Sequence, residues 1–299
     1  MRKVITTFLK RLLRFVISRP VQKRLGYRGS AKLLIIHADD MGMSDSENAG
    51  SLEAMDKGVV NSGSVMIPCR KFQIIADWVK THTEADIGIH LTITSEWSSY
   101  KWGPVLPVNE IPSIVDGDGY FPASKKYISE MAVAEEVEKE YRAQITLAAD
   151  SGLKPTHIDS HMYSAFATDE IINKYISLGN EFKVPVLLTY DLPFRILKSK
   201  NAIFADHLYC AKSEDYADGL ADYYRKVLRS IKPGLNCLLV HPAYNDKEMQ
   251  DITLDRQEFG GAWRQIDLDF FTSEECRSLI KENNIQLITW REIRDKLVL

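Results

Sequence analysis

The stretch LLIIHADD, residues 33–40, decides the fold, because four aliphatic residues lead directly into His37, Asp39 and Asp40. Three other short apolar runs end in the same kind of residue, namely ADIGIH (85–90), THIDSH (156–161) and CLLVHP (237–242). Apolar runs of about four to six residues are typical of buried strands in a parallel sheet. Because ligand sites of α/β folds lie at the carboxyl ends of such strands, the pattern predicts a divalent-metal hydrolase.

Predicted strands and helices alternate along the chain after residue 32. We expect strands at 33–38, 63–67, 86–90, 156–160, 185–189, 206–210, 236–241 and 285–288. We expect helices between them at 46–57, 70–81, 130–150, 168–181, 214–230, 273–283 and 290–297. Seven or eight such units predict an α/β fold, an irregular TIM-like (β/α) barrel of mostly parallel strands, rather than an open doubly wound sheet. The first strand is not followed by a GxGxxG or P-loop motif, which argues against a nucleotide-binding fold.

Charge divides the chain into a basic arm and an acidic body. Residues 1–32 contain ten Lys and Arg and no acid, although the formal net charge of the whole chain is −3. We therefore expect a basic amphipathic N-terminal extension at 1–32 and a single barrel domain at 33–299. Apolar residues recur at helical spacing in the arm: Val4, Ile5, Phe8, Leu9, Leu12, Leu13, Val16 and Ile17. This pattern fits a helix on an anionic membrane surface, and equally a helix packed on the domain or on a second subunit of a homodimer.

Composition also limits where the protein can be located and which kinds of partner it can bind. The arm lacks the uninterrupted apolar stretch of a signal peptide and the roughly 20 apolar residues of a spanning helix. Four separated cysteines match no zinc-finger or CxxC spacing, so we expect reduced thiols in a cytoplasmic protein, with a peripheral membrane contact through the arm left open. The acidic body argues against a nucleic-acid partner.

Side chains at the strand ends supply the ligands of the predicted metal site. Asp39 and Asp40 follow the first strand, and one carboxylate can bind a cation while the other accepts a proton. His90 and His161 end two further strands. One carboxylate and two imidazoles leave positions open for water and substrate, and this mixed set fits zinc as well as magnesium or manganese. His241 then remains free to act as an acid or a base.

The THIDSH segment places alternate residues on one side of its strand. His157, Asp159 and His161 lie two residues apart, so they face the same side. Asp159 can orient a ligand imidazole, whereas His157, farther down the strand, is expected to be a buried supporting or structural histidine.

Two insertions rich in aromatic residues interrupt the alternation, at 91–128 and 242–271. Each follows a strand that ends in a candidate site histidine, so both are expected to overhang the same mouth. Long loops of this kind are usually functional, and aromatic side chains suit the apolar faces of sugar rings. The same aromatics could equally close a small core over the barrel. The candidate substrate-binding residues are Trp97, Trp102, Tyr244, Trp263 and Arg264.

Four segments resemble the signature sequences of the YdjC/ChbG-like carbohydrate deacetylase family: IIHADDMGMSDSENAG (35–50), DIGIHLTIT (86–94), KPTHIDSHMY (154–163) and LLVHPAY (238–244). The resemblance runs in order from about residue 33 to 297. It implies an irregular (β/α) barrel, a divalent metal ion, and hydrolysis of the N-acetyl group of amino sugars such as chitooligosaccharides. The chain departs from the family pattern at Met41, at Met162-Tyr163 and in the basic arm.

The resemblance also implies a role for each site residue. Asp40, His90 and His161 match the metal ligands of the family, Asp39 matches its general base and His241 its general acid. We therefore expect a metal-dependent hydrolase of carbohydrate metabolism that uses one magnesium or zinc ion to remove the N-acetyl group from an amino sugar or oligosaccharide.

Two alternative functions use the same residues. Another metal-dependent hydrolase, such as a phosphoesterase, is disfavoured because Arg264 is the one basic residue that the sequence places near the mouth. A non-catalytic carbohydrate-binding or membrane-surface barrel is the other alternative, and the intact set of Asp and His residues argues against it.

Overall fold

The computed structural model describes residues 20–189 and 202–299. Most of the predicted basic arm lies outside these residues, and its last part contains the short helix α1 (Val21–Arg24). Among the helices of the described ranges, none has the length and apolar content that crossing a membrane requires.

The strands of the described residues follow the predicted order. They are β1 (Lys32–Met41), β2 (Ser62–Val65), β3 (Ile87–Leu91), β4 (Ile158–Ser160), β5 (Leu188–Thr189), β6 (Phe204–Ala205), β7 (His207–Cys210), β8 (Gly234–Val240) and β9 (Ile285–Leu287). Each of the eight predicted strands has a counterpart, and β6 is an addition.

Helices lie between the strands, and several begin with a side-chain cap. They are α1, α2 (Asp45–Asp56), α3 (Phe72–Trp78), α4 (Lys125–Met131), α5 (Ala134–Asp150), α6 (Asp169–Glu181), α7 (Ser213–Ala217), α8 (Leu220–Ser230), α9 (Lys247–Ile252), α10 (Gly261–Thr272), α11 (Glu274–Glu282) and α12 (Trp290–Leu297). Short 3-10 helices occupy Val108–Glu110, Pro112–Ile114, His161–Phe166 and Gln257–Phe259. Ser44, for example, caps α2 by accepting a hydrogen bond from the backbone N–H of Glu47.

The sheet is parallel and curled. Its order is β4-β3-β2-β1-β8-β7, with β9 paired to the first residues of β1. A second pair, β5-β6, continues the curl, because Ile158 of β4 bridges Val186 just before β5 and β6 leads into β7. The expected α/β class and parallel, barrel-like sheet are therefore confirmed, whereas a closed TIM-like ring stays a prediction.

β1 is the central strand, and nine of its ten residues are buried. Leu33 and Ile35 pack in the inner core with Trp290, whereas Leu34 and Ile36 pack outward in the core that includes residues of α8, α10 and α11. Because side chains alternate along a strand, His37 and Asp39 follow Leu33 and Ile35 on the inner face.

Three predicted regions differ in detail from the structure. The helix expected at 130–150 is α5, which begins at Ala134, and the separate helix α4 precedes it. The helix expected at 214–230 is broken into α7 and α8 at Gly219, whose φ of 107° lies in the left-handed region that glycine tolerates. The insertion at 242–271 contains α9 and α10, which the sequence analysis did not predict. Helix α10 forms because its apolar side chains, Trp263 and Phe271 among them, are buried in the outer core.

Candidate metal and active site

Three residues that are far apart in the chain meet at the carboxyl ends of the strands. His161 Nδ1 lies 3.2 Å from Asp40 Oδ1 and 3.3 Å from His90 Nε2. His90 Nε2 lies 3.5 Å from the same Asp40 oxygen, and all three side chains are almost fully buried. Asp40, His90 and His161 therefore form a compact triangle of donor atoms with the spacing of a metal-binding group.

An irregularity in β1 brings both aspartates to this site. The pairing of β1 with β2 shifts register between Ala38 and Met41, and Asp40 has a φ of 62°. Adjacent residues of a regular strand point to opposite faces, so a regular β1 would turn Asp40 away from Asp39. The left-handed conformation, which Asp tolerates better than most residues, lets both carboxylates reach the inner end of the strand.

Each of the two histidines is oriented by a carboxylate behind it. His90 Nδ1 lies 2.8 Å from Asp159 Oδ1, and His161 Nε2 lies 2.9 Å from Glu96 Oε2. A carboxylate can only accept, so these contacts place the imidazole hydrogens on Nδ1 of His90 and on Nε2 of His161. The lone pairs of the other two nitrogens then face each other and the Asp40 oxygen, which is the arrangement that carboxylate–histidine–metal sites use.

The electrostatics of this triangle favour a positive charge. Burial alone would lower the pKa of His161, but Glu96 and Asp40 outweigh it and raise the pKa to about 10. Burial would likewise lower the pKa of His90, and the Asp159 and Asp39 carboxylates raise it. The pKa of Asp40 lies well below its usual range because His161, His241 and Arg264 outweigh the effect of burial. The same carboxylates would attract a cation at the centre of the triangle.

Arg264 lies beneath Asp40 rather than free in the cavity. Its Nη2 donates to Asp40 Oδ2 at 3.1 Å and its Nη1 donates to Glu47 Oε2 at 2.7 Å. Burial raises the pKa of Glu47 to about 8 in spite of this guanidinium. Arg264 borders the cavity, but its hydrogen-bonding edge is occupied by the two carboxylates, so its predicted role in substrate binding stays a prediction.

The two residues predicted to move protons border the same cavity. His241 follows β8 directly, its Nε2 lies 4.0 Å from Asp40 Oδ2, and 24% of its side chain is exposed. Burial lowers the pKa of the His241 imidazole. Asp39 lies 3.1 Å from His37 Nε2 through its Oδ1, which accepts no hydrogen bond.

The cavity has a volume of about 310 Å³ and is lined by both polar and apolar side chains. Asp39, Asp40, His90, His161 and His241 are among the polar ones. Apolar and aromatic side chains form most of the remainder: Met162, Tyr163, Phe166, Leu187, Ala211, Leu239, Phe259 and Trp263. A concave site that joins a few convergent polar groups to an apolar wall is typical of small-molecule binding.

The predicted aromatic residues do not share one location. Trp263 borders the cavity and contacts Phe259, with ring centroids 5.2 Å apart and the ring planes tilted by 36°. Trp97 and Trp102 are buried in the core, and Tyr244 donates a hydrogen bond to Glu53, so none of these three is among the cavity-lining residues. Their role in sugar binding stays a prediction.

The two insertions do lie together above the site. The backbone N–H of Ser98 donates to Asp255 at 3.1 Å, and the Arg256 guanidinium lies 5.7 Å from the Trp97 ring. The first insertion contributes Glu96 to the cavity and the second contributes Arg256, Phe259, Trp263 and Arg264.

Sequence reasoning did not identify Glu96 as a site residue, nor did it give His37 or Glu47 a role. Glu96 lies in an insertion without regular spacing, so no periodicity marks it. His37 lies in the decisive stretch LLIIHADD and could have been found from its position two residues before Asp39 on the same face of β1. His157 is buried as expected, and Gly88 leaves the space for its ring, since a Cβ on Gly88 would lie 2.5 Å from it.

Comparison with known proteins places these residues in a family. The family model described as YdjC-like protein matches residues 33–282. A carbohydrate deacetylase of Brevibacillus brevis is 30% identical over 265 residues, which cover 87% of this chain and 99% of that protein. A carbohydrate deacetylase of Thermus thermophilus is 29% identical over 297 residues and is covered to 98% of its length.

A solved structure has the same fold over nearly the whole domain. A crystal structure from Enterococcus faecalis, of a protein provisionally assigned to cellobiose-phosphate cleavage, has a TM-score of 0.74 and 26% sequence identity. The match covers 88% of this chain and 99% of that one.

Proposed function

The chain belongs to the YdjC-like protein family, and from this premise we propose that it is a metal-dependent deacetylase of N-acetylated amino sugars. The observation that carries the proposal is the triangle formed by Asp40, His90 and His161 in the wall of a cavity. The relatives named carbohydrate deacetylase match along almost their entire length, which supports an amide bond of a sugar as the target.

The donor set fits a divalent cation. Its three separations are 3.2, 3.3 and 3.5 Å. Ligands about 2.1 Å from a metal are ~3.4 Å apart at a tetrahedral angle and ~3.0 Å apart at an octahedral one. Zinc and magnesium both remain candidates, because carboxylate and imidazole donors serve either ion.

When bound at these residues, a divalent ion would polarise the acetamide carbonyl and promote deprotonation of water. The Asp39 carboxylate borders the cavity, so it would take a proton from the hydrolytic water. His241 Nε2 lies 4.0 Å from Asp40 Oδ2, and the protonated form of this ring would donate a proton to the amine as the C–N bond breaks. Acetate and a free amino sugar are the products.

The remaining residues of the site hold these groups in place. Asp159 and Glu96 fix the ring orientation of His90 and His161, and Arg264 fixes Asp40. Trp263 and the other apolar side chains would exclude water from one side of the sugar. A TIM-like ring of strands around this mouth would place all of them at one end of the barrel.

Acetate release tests the proposal. Purified protein is incubated with N-acetylglucosamine oligomers, with and without added Zn²⁺ or Mg²⁺, and acetate and free amine are measured. We expect equal amounts of both products, and we expect their formation to drop by about 10²- to 10⁴-fold in His241→Ala. His82→Ala, which alters an exposed histidine outside the cavity, is the matched control. Binding of the oligomers without acetate, or release of phosphate from sugar phosphates in its place, would refute the proposal.

A further inference from the structure

His37 lies beneath the candidate active site and contacts two of its carboxylates, those of Asp39 and Asp159. The ring is 1% exposed. Its Nε2 lies 2.8 Å from Asp159 Oδ2 and 3.1 Å from Asp39 Oδ1. Its Nδ1 lies 2.9 Å from Ser62 Oγ. One imidazole thus touches both the carboxylate that orients His90 and the carboxylate proposed as the base.

A count of hydrogens shows which protons this ring carries. Ser64 Oγ lies 3.1 Å from His37 Nε2 and donates its hydrogen to Asp159 Oδ2 at 3.0 Å. Ser62 hydrogen-bonds to Asp86, whose two carboxylate oxygens accept from the backbone N–H groups of Trp290 and Arg291, so the Ser62 hydroxyl is the donor there. Both serine hydroxyls therefore present only lone pairs to His37, and both ring nitrogens of His37 must be donors. A histidine with two N–H groups is an imidazolium.

We propose that His37 is a positioning residue whose permanent positive charge holds the carboxylates of Asp39 and Asp159 together beneath the site. Two buried carboxylates that approach one nitrogen within 3.1 Å would otherwise repel each other. The hydrogen bond of Nε2 is to Ser64 Oγ, at 3.1 Å, so Asp39 and Asp159 are both balanced by charge, and Asp39 Oδ1 accepts no hydrogen bond. The base is thereby fixed in place.

The charged and titratable groups around His37 agree with this assignment. Burial alone would lower the pKa of His37, but Asp159 and Asp39 outweigh it and raise the pKa to about 10. The His157 ring lies edge-on to His37, with centroids 4.9 Å apart. Burial and the His37 charge hold the pKa of His157 well below its usual range, so the second ring stays neutral.

The effect of His37 on catalysis rests on the proposed deacetylase function, whereas the positive charge of its ring can be tested independently of that function. The charge is tested first, by long-range ¹H–¹⁵N spectra of the imidazole rings of the full-length protein, with the His37 signal identified by its loss in His37→Gln. We expect both His37 nitrogens to be protonated at pH 8, where an ordinary histidine is neutral. A His37 ring with one unprotonated nitrogen at pH 8 would overturn the proposal, whatever the enzyme does.

The positioning role is tested by kinetics and metal content. We expect His37→Gln, which keeps a donor but not the charge, to lower kcat by about 10- to 100-fold, with KM within twofold and the bound metal retained. His82→Gln is the control and should keep the kcat of the natural protein. A His37→Gln protein that is folded and keeps kcat within threefold, or that loses activity through KM alone, would overturn the positioning role. If the natural protein releases no acetate, the deacetylase proposal fails, and the spectra still decide the charge.

Discussion

Replacing Arg264 by Met tests how the site holds Asp40. The substitution removes the guanidinium but keeps an unbranched side chain of similar length. It leaves Asp40 and Glu47 without their shared partner, and the exposed fractions of these side chains are 4% and 0%. Two hydrogen bonds to charged groups are lost, at 3.1 and 2.7 Å, each worth about 1.5–3 kcal/mol. Since breaking a buried ion pair by removing one partner costs about 3–5 kcal/mol, we expect a loss of that size.

The loss is measured by thermal and urea unfolding in the presence of a chelator, so that metal release does not contribute. For 299 residues, an unfolding entropy of about 2.1 cal/mol/K per residue converts 3–5 kcal/mol into a fall in Tm of about 5–8 °C. Arg225→Met is the matched control, because Arg225 also joins two acids, Asp222 and Glu275, but is 32% exposed. An exposed pair of this kind contributes at most about 1 kcal/mol.

A second variant separates charge from packing. In Arg264→Met with Glu47→Gln, the buried carboxyl that has lost its guanidinium donor is replaced by a neutral amide, so part of the lost stability should return. Equal destabilisation by Arg264→Met and Arg225→Met would refute the buried ion-pair reasoning. A rise in KM without a fall in Tm would instead favour the substrate-binding role that the sequence suggested for Arg264.

Three further predictions address the orienting carboxylate, acid stability and the basic arm. Asp159→Asn should weaken metal affinity by about 10- to 100-fold in a chelator competition, because the neutral Asn side chain cannot balance the charge of His37 while it accepts from His90, whereas the exposed Asp77→Asn should leave it unchanged. Burial lowers the pKa of His157 below its unfolded value near 6.5, so the contribution of the neutral ring to stability is present above that pH and is lost as the pH falls, by about 1.4 kcal/mol per pH unit. In urea unfolding from pH 6.5 to 5, His157→Gln should therefore lose less stability than the natural protein. Parallel curves for the two proteins would contradict this. Removal of residues 1–19 should abolish co-sedimentation with anionic vesicles at low salt, and equal sedimentation of both proteins would exclude the arm as the contact.

The sequence predicted the strand ends of the site because apolar runs carry a clear signal. LLIIHADD, ADIGIH and THIDSH place Asp40, His90 and His161 at the carboxyl ends of β1, β3 and β4. In a parallel sheet these ends share one edge, so the strand assignment predicts that the three residues lie at the same edge. The same argument placed His241 at the end of β8.

Other features of the site depend on tertiary contacts that no local pattern encodes. The φ of 62° at Asp40 follows from the shifted register between β1 and β2, and Glu96 reaches His161 from an insertion. Trp97 and Trp102 are apolar residues in a long insertion, and such residues can line a mouth or close a core with equal ease. The structure puts them in the core, where their burial stabilises the insertion that carries Glu96.

Metal content measured by equilibrium dialysis and elemental analysis tests the central claim most directly. Asp40, His90 and His161 should together bind one divalent ion per chain, and His161→Ala and Asp40→Asn should each lose it while remaining folded. Asp39→Asn should keep the ion, because Asp39 is proposed as the base and not as a ligand. A natural protein that binds no divalent ion, or a folded His161→Ala protein that keeps its full metal content, would contradict the account.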